Sequence, residues 1–478
     1  MLTEEIRRDF LQALETGVKP ATGCTEPVAV AYASAVCSKY LGNQQIKKIK
    51  VCVSANVMKN ALAVIVPGTG EAGVEVAAAT GALAGDAEAG LKVISSVPEG
   101  SLEEILELAK SDKVSAEVAD VEDKLYVEVS IWSVKDKVTV KIVEGHTNIC
   151  LIQKNETIIF KKEKILSKKE PSTLDVLKES TFKDIWEFTM TQDLKDIEQL
   201  KKAKDLNMRL VEEGLKHDYG MKMGQTLLSD RNLRELSLEE RIVVCTAAAS
   251  DARMGGSQHA AMTNSGSGNQ GITATVPVCV FGEAKAITEE KLIRALTLSH
   301  LTALYIHAFL PVLSAYCATD SAAMGAAAAL IYIDSADESK AEKAIKNMIG
   351  DAVGMICDGA GFSCAVKVVS SVSSMFRAVR LAQAGVVIPA SNGIVSENVD
   401  DCIRDLGFYV SHGMQASDPV ILDIMLNKKL RLIYLSFLLF FWISVGIEVF
   451  LGHFIINYID SFARRSCVFH YGFRNFFS

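Results

Sequence analysis

Thr263-Asn-Ser-Gly-Ser-Gly-Asn-Gln-Gly271 is the most telling stretch of this 478-residue chain. Its glycines let the backbone bend and expose consecutive N–H groups, while Asn264, Ser265, Ser267 and Asn269 add short polar donors. Such a nest suits an anion, for example the carboxylate of an amino acid. It is not a phosphate loop, because the Gly-Lys-Ser/Thr ending is missing. An ordinary flexible turn has a similar composition, so both readings stay open here. The stretch lies within residues 206–425, which read as helix almost throughout. Ser237-Leu-Glu-Glu240 is a capping box that starts one helix. Thr288 with Glu289 and Glu290 starts another, running to about Phe309 before Pro311, and Gly385 reads as a helix C-cap. Many Ala, Gly and Ser residues let helix axes approach closely, which predicts a compact bundle with a site at its centre.

Outward toward the N-terminus the pattern changes. Residues 1–165 read as mixed α and β. Glu4 to Leu14 is a short amphipathic helix. Cys24-Thr-Glu-Pro27 opens an Ala-rich helix to about Tyr40, with Pro27 in the first turn, where a missing N–H costs nothing. Strands are expected at 46–53, 62–66, 125–132, 138–143 and 157–161, from β-branched alternation between turn residues. Ala-rich stretches at 72–92 and 101–110 read as helices. Residues 166–205 are rich in Lys and Glu at helical spacing and read as a solvated connector. The fold class expected is α+β: a mixed α/β domain (1–165), the connector (166–205), a mainly helical domain (206–427) and an atypical tail (428–478). This agrees with the two or three domains expected at about 150 residues each.

Three cysteines stand apart at the spacing C-x39-C-x6-C: Cys317, Cys357 and Cys364. Each is at or near a predicted helix end, a position that favours the thiolate. Three thiolates can hold three irons of a [4Fe–4S] cluster and leave the fourth as a Lewis acid. A buried cysteine is also an ordinary small apolar residue, so spacing alone leaves this open. Arg253, in Ser250-Asp-Ala-Arg-Met-Gly-Gly256, suits a bidentate grip on a carboxylate or a surface ion pair with Asp251. His300 and His307 share a helix face, as a metal pair or as core or surface histidines. Lys59, in Val57-Met-Lys-Asn60, is placed for a charged contact. No phosphate cup accompanies it, as a pyridoxal Schiff base would need. His146, in Gly145-His-Thr-Asn148, is a general acid–base candidate. Cys24 sits behind Gly23 at a helix start, as a reactive thiolate or as an inert cap neighbour.

Composition narrows the classes. The net charge is −8, with acids and bases mixed and no Lys/Arg-rich tract, so nucleic-acid binding has no support. Met1-Leu-Thr-Glu-Glu-Ile-Arg-Arg8 has no apolar core and does not read as a signal peptide. A cytoplasmic location is expected, with the eleven cysteines as thiols or metal ligands. Leu432 to Ile447 is uncharged, slightly short of a membrane helix, and followed by Glu448 and His453. It reads as a membrane anchor or as a frameshift or read-through product.

These same motifs closely resemble the L-cysteine desulfidase family, a bacterial and archaeal group related to the iron–sulfur L-serine dehydratase α chain. The resemblance runs from about residue 5 to 427, through Lys19–Pro27, Asn56–Asn60, Val66–Gly70, Gly145–Asn148, Ala249–Gly256, Asn264–Ala274, Ala322–Ala327 and Ile349–Ala360. It implies an oxygen-labile [4Fe–4S] cluster on Cys317, Cys357 and Cys364, and a functional Cys24, as base or as reversible ligand of the fourth iron. It also implies a lyase that splits L-cysteine into sulfide, ammonia and pyruvate without pyridoxal phosphate. Asn264, Ser265, Ser267, Asn269, Arg253, Lys59, Asn60 and His146 are then expected around the substrate, and a homo-oligomer is expected. L-serine dehydration is the neighbouring reading, with the same chemistry and a different leaving group. A non-catalytic iron–sulfur redox sensor and a structural zinc protein are readings from other classes. In the related dehydratases a C-terminal cysteine tail reaches the cluster, but the surroundings of Cys467 do not match that pattern.

Overall fold

Along Tyr126–Trp132 the β-branched residues Val127, Val129 and Ile131 turn inward, with Ser130 buried among their neighbours. That alternation builds a six-stranded sheet in the computed structural model, which describes residues 2–162 and 173–428. The strands are β1 (Pro20–Ala21), β2 (Lys48–Val53), β3 (Val114–Val118), β4 (Tyr126–Trp132), β5 (Lys137–Val143), β6 (Ile149–Lys154), β7 (Thr157–Lys161) and β8 (Ala261–Met262). The sheet order is β3-β2-β4-β5-β6-β7, antiparallel except for the parallel β2–β3 pair. The short β1 and β8 pair with each other and so join the N-terminal region to the helices.

The helices of the N-terminal region are α1 (Glu4–Gly17), α2 (Thr25–Leu41), α3 (Ala55–Ala61), α4 (Val74–Ala84) and α5 (Leu102–Lys110). There follow α6 (Thr173–Glu179), α7 (Phe182–Thr191), α8 (Leu194–Ile197), α9 (Lys201–Lys216), α10 (Met223–Leu228), α11 (Leu238–Met254) and α12 (Gly268–Ala284). The rest are α13 (Glu289–Ala308), α14 (Thr319–Asp334), α15 (Glu338–Asp351), α16 (Cys364–Gln383) and α17 (Val399–Gly413). Ser237 caps α11 in a full capping box, and Thr288 caps α13. Close approach is the rule in this bundle. A methyl group on Gly325 would lie 2.2 Å from the Ser299 carbonyl, and one on Gly214 would lie 1.8 Å from that of Ala248. The α+β class therefore holds, with the sheet in the N-terminal region and helices after it.

Several expectations need correction. Residues 62–66 are not a strand: Ile65 makes a single bridge to Ala72, because Pro67 has no N–H and Pro67-Gly-Thr-Gly70 turns the chain back. Strands β3 and β6 escaped notice. β3 is a short, mostly exposed edge strand paired, among the described residues, with the non-local β2 alone, and β6 carries a register shift against β5. The helix expected at 72–92 ends at Ala84, leaving one short 3-10 turn at Gly90–Lys92. Residues 173–200 are not a solvated connector. Phe182, Ile185 and Phe188 are fully buried in the helical core, where Phe188 meets Phe10 of α1 edge-on. The charged spacing described only their outer face. The chain divides into two compact units, Met1–Leu422 and Asp423–Ser478, so the expected boundaries near 165 and 205 separate no units. In the second unit the described residues, 423–428, are helical. The apolar stretch from Leu432 and Cys467 lie outside the described residues. Among the described residues no helix is long and apolar enough to cross a membrane.

Candidate active site

Four helix N-termini open on one cavity of about 120 Å³: those of α2, α12, α14 and α16. Each brings unpaired N–H groups and the positive end of a helix dipole, so the cavity favours anions. Cys24 is the residue before α2, and Ser267 caps α12 through the Gln270 N–H. Cys317 lies two residues before α14, and Cys364 begins α16. Gly23 (φ 77°) turns the chain into α2, where a side chain would strike the Pro67 ring.

Cys317, Cys357 and Cys364 all line this cavity together with Cys24. Tyr316 and Ile356 form an antiparallel bridge, in which the Cys317 N–H donates to the Met355 carbonyl and the Cys357 N–H to the Ala315 carbonyl. Two of the three thiol-bearing segments are thereby locked side by side. Among the described residues no three His, Cys, Asp or Glu side chains are grouped to hold a single ion. Thiols that each bind a different iron of one cluster stand farther apart than ligands of one ion. A set of three thiols at the edge of one cavity, under helix N-termini, fits a cluster's donor chemistry. Burial pushes the Cys317 and Cys364 thiols up from their ordinary range, so it outweighs the helix N-termini expected to lower them. Metal must displace those protons to bind.

Cys24 packs in one small cluster with Cys364, and its Sγ donates to Glu26 Oε2 at 3.0 Å. Burial, then the Glu26 charge, push this thiol well above its usual range, with Arg253 opposing. The free thiolate expected from the sequence is thus a hydrogen-bonded thiol here. Glu26 is nearly buried, and burial alone would raise its pKa. His146, whose Nε2 lies 4.0 Å from Oε1, and the Cys24 thiol reverse that and hold the carboxyl far below the carboxylate range. Asn60 Nδ2 also donates to Oε1, at 3.0 Å.

Arg253, in the last turn of α11, is 4% exposed and lines the cavity. Its Nε has no hydrogen-bond partner, and one guanidinium nitrogen meets only the Met254 sulfur. Gly268 leaves it room, since a methyl there would sit 2.1 Å from Nε. The surface ion pair with Asp251 does not form: Asp251 is itself buried and accepts from the Gly224 N–H.

Most expected site residues therefore meet: Cys24, Asn60, His146, Arg253, Ser265, Ser267, Asn269 and the three thiols. Two do not. Asn264 is buried and fully engaged, donating to the His300 carbonyl and accepting from Ser265 and Gln270, so it braces the loop from behind. Lys59 is wholly buried and donates to Asp418 and to the Cys357 carbonyl, away from the cavity. His300 and His307 make no metal pair. His300 is held by Asn264 and Thr275, and burial lowers it to about 3. His307 lines the cavity, lowered by burial to about 4. Sequence reasoning missed Glu26 and Lys367, and offered His307 only as half of a metal pair or as a core or surface histidine. Glu26 stood inside a motif already singled out, but an acid in a first helix turn normally faces water. Lys367, one turn into α16, reaches the cavity while pairing with Asp358.

A buried cation, a polar loop and three thiols thus line one cavity whose charge suits a small anion. The family model described as serine dehydratase alpha chain matches residues 88–423, and the chain belongs to that family. More particularly, a UPF0597 protein of Latilactobacillus sakei subsp. sakei (strain 23K) is 53% identical over 426 residues, covering 88% of this chain and 99% of that one. A UPF0597 protein of Dichelobacter nodosus (strain VCS1703A) is 42% identical over 430 residues, covering 90% and 99%. The UPF0597 protein YhaM of Escherichia coli (strain K12 / DH10B) is 41% identical over 423 residues, covering 88% and 97%.

Proposed function

We propose that this chain is an iron–sulfur-dependent lyase that splits L-cysteine into sulfide, ammonia and pyruvate. The observation that carries the reading is the meeting of Cys317, Cys357 and Cys364 with Cys24 and the unpaired Arg253 on one cavity. Cys317, Cys357 and Cys364 would hold a [4Fe–4S] cluster, which when bound supplies a Lewis acid for the leaving sulfur. Arg253 binds the substrate carboxylate, and Ser265, Ser267 and the N-terminus of α12 complete its cradle. The same donors stabilise charge that builds on the carboxylate as the α-proton leaves. Cys24 Sγ is the base. At rest the thiol donates to Glu26; the substrate ammonium, a positive charge beside it, favours the thiolate, and the Cys24 proton leaves to solvent before the α-proton is taken.

L-Serine is the second reading, favoured by the family description. The test is to purify the full chain without air, measure iron and acid-labile sulfide, and compare product formation from L-cysteine and L-serine. Bound iron with sulfide release from L-cysteine is expected. Faster pyruvate formation from L-serine would move the assignment to a dehydratase. A chain with zinc in place of iron and sulfide would overturn both.

A further inference from the structure

We propose that Lys59 is a positioning residue for the Cys357 loop, with Asp418 as the counter-charge that offsets the cost of burying its ammonium. The role deepens the reading above and rests on Cys357 being a cluster ligand. Residues 352–363 join α15 to α16 with no helix or strand of their own beyond the single bridge. Burial does little to hold this loop, since Ile356 is 46% and Phe362 39% exposed. The bridge to Ala315–Cys317 fixes the N–H side of Cys357. Its carbonyl side is fixed by Lys59 Nζ at 2.8 Å. The same ammonium donates to Asp418 Oδ1 at 2.7 Å, with both side chains almost entirely out of water.

Burying an ammonium is costly unless it is paired, and an apolar residue of similar size would support α3 at lower cost. What an apolar residue cannot do is bond the carbonyl of the residue whose thiol must reach the cluster. Cys317 and Cys364 also take their places from helix starts, so Lys59 acts most directly on Cys357. Residue 418 is thereby recruited to the site across 359 positions of sequence from Lys59.

The test uses the full chain in metal-free form, reading amide exchange over 352–363 by mass spectrometry, then iron bound after anaerobic loading with ferrous iron and sulfide. Lys59→Met is expected to speed loop exchange about tenfold or more and to lower retained iron several-fold, from loss of a charge-assisted bond. Asp418→Asn keeps the Lys59–Cys357 bond, so its loop exchange should stay near the parent rate although its global stability falls. If Lys59→Met does not fold, the double variant K59M/D418L leaves no orphaned charge, and fast exchange is expected there too. Parent-like loop exchange in the lysine variants, or equal acceleration in Asp418→Asn, would overturn the role. A parent chain that takes up no iron would instead sink the cluster reading, while exchange in the metal-free protein still decides the role of Lys59.

Discussion

Arg253 carries a positive charge into the cavity while itself almost entirely buried, and among the described residues no carboxylate pairs with it. A cation so placed is stabilised by an arriving anion. Arg253→Ala should raise the KM for L-cysteine about tenfold or more, since bonds to charged groups contribute about 1.5–3 kcal/mol, while bound iron stays at the parent level. An unchanged KM would remove Arg253 from the substrate. If the chain is the iron–sulfur lyase proposed above, Cys24→Ala should leave bound iron and sulfide at the parent level and abolish sulfide release; a turnover number equal to the parent's would reject Cys24 as base. Asp251 gives a pH prediction. Burial raises it to about 6, against the pull of the Gly224, Met223 and Met221 N–H groups. The unfolded chain titrates near the ordinary value of about 3.9, so between about pH 4 and about pH 6 the folded chain holds more protons. Its contribution to stability is complete below about pH 4 and disappears as pH rises through about 6. Denaturant midpoints of the parent, compared with Asp251→Asn, should fall across that window; a constant difference between the two would contradict this. At this scale the residue types and motifs were legible in the sequence, because cysteine, arginine and a Gly-rich polar loop have few other uses together. Orientation was not, which is why Asn264 and Lys59 were misplaced: both face inward, Asn264 onto His300 and Lys59 onto Cys357 and Asp418.

At the scale of elements, the site depends on helix starts held at close quarters. α14 begins just after Cys317 and packs on α13 through Gly325, whose missing side chain lets the backbones meet. Gly325→Ala should cost roughly 1–3 kcal/mol, as overpacking commonly does, and should lower iron retention because α14 carries Cys317 with it. Equilibrium unfolding and iron content measure the two effects. A variant of parent stability would mean that α13 and α14 can separate without strain. Capping signals at Ser237 and Thr288 were readable since a cap is local: side chain and N–H groups lie within one turn. Strand β3 was not, because a five-residue, mostly exposed edge strand is fixed by its partner rather than by its own pattern.

At the scale of the molecule, the first helix belongs to the helical core although about 170 residues separate them. Phe10 is fully buried and stacks edge-on with Phe188. Phe10→Ala should cost roughly 3–5 kcal/mol in global stability, measured by denaturant unfolding, even though Phe10 lies outside the residues matched by the family model. A loss below about 1 kcal/mol would show that α1 docks only loosely. The amino-acid sequence by itself determined the α+β class, the helix starts and the chemical groups available for the reaction, because periodicity, capping and side-chain chemistry are properties of neighbours along the chain. Only the tertiary structure decided that four helix N-termini face one cavity, that Glu26 and His146 stand behind Cys24, and that Lys59 turns away toward Asp418. Those facts come from burial and long-range contact, which no local pattern encodes.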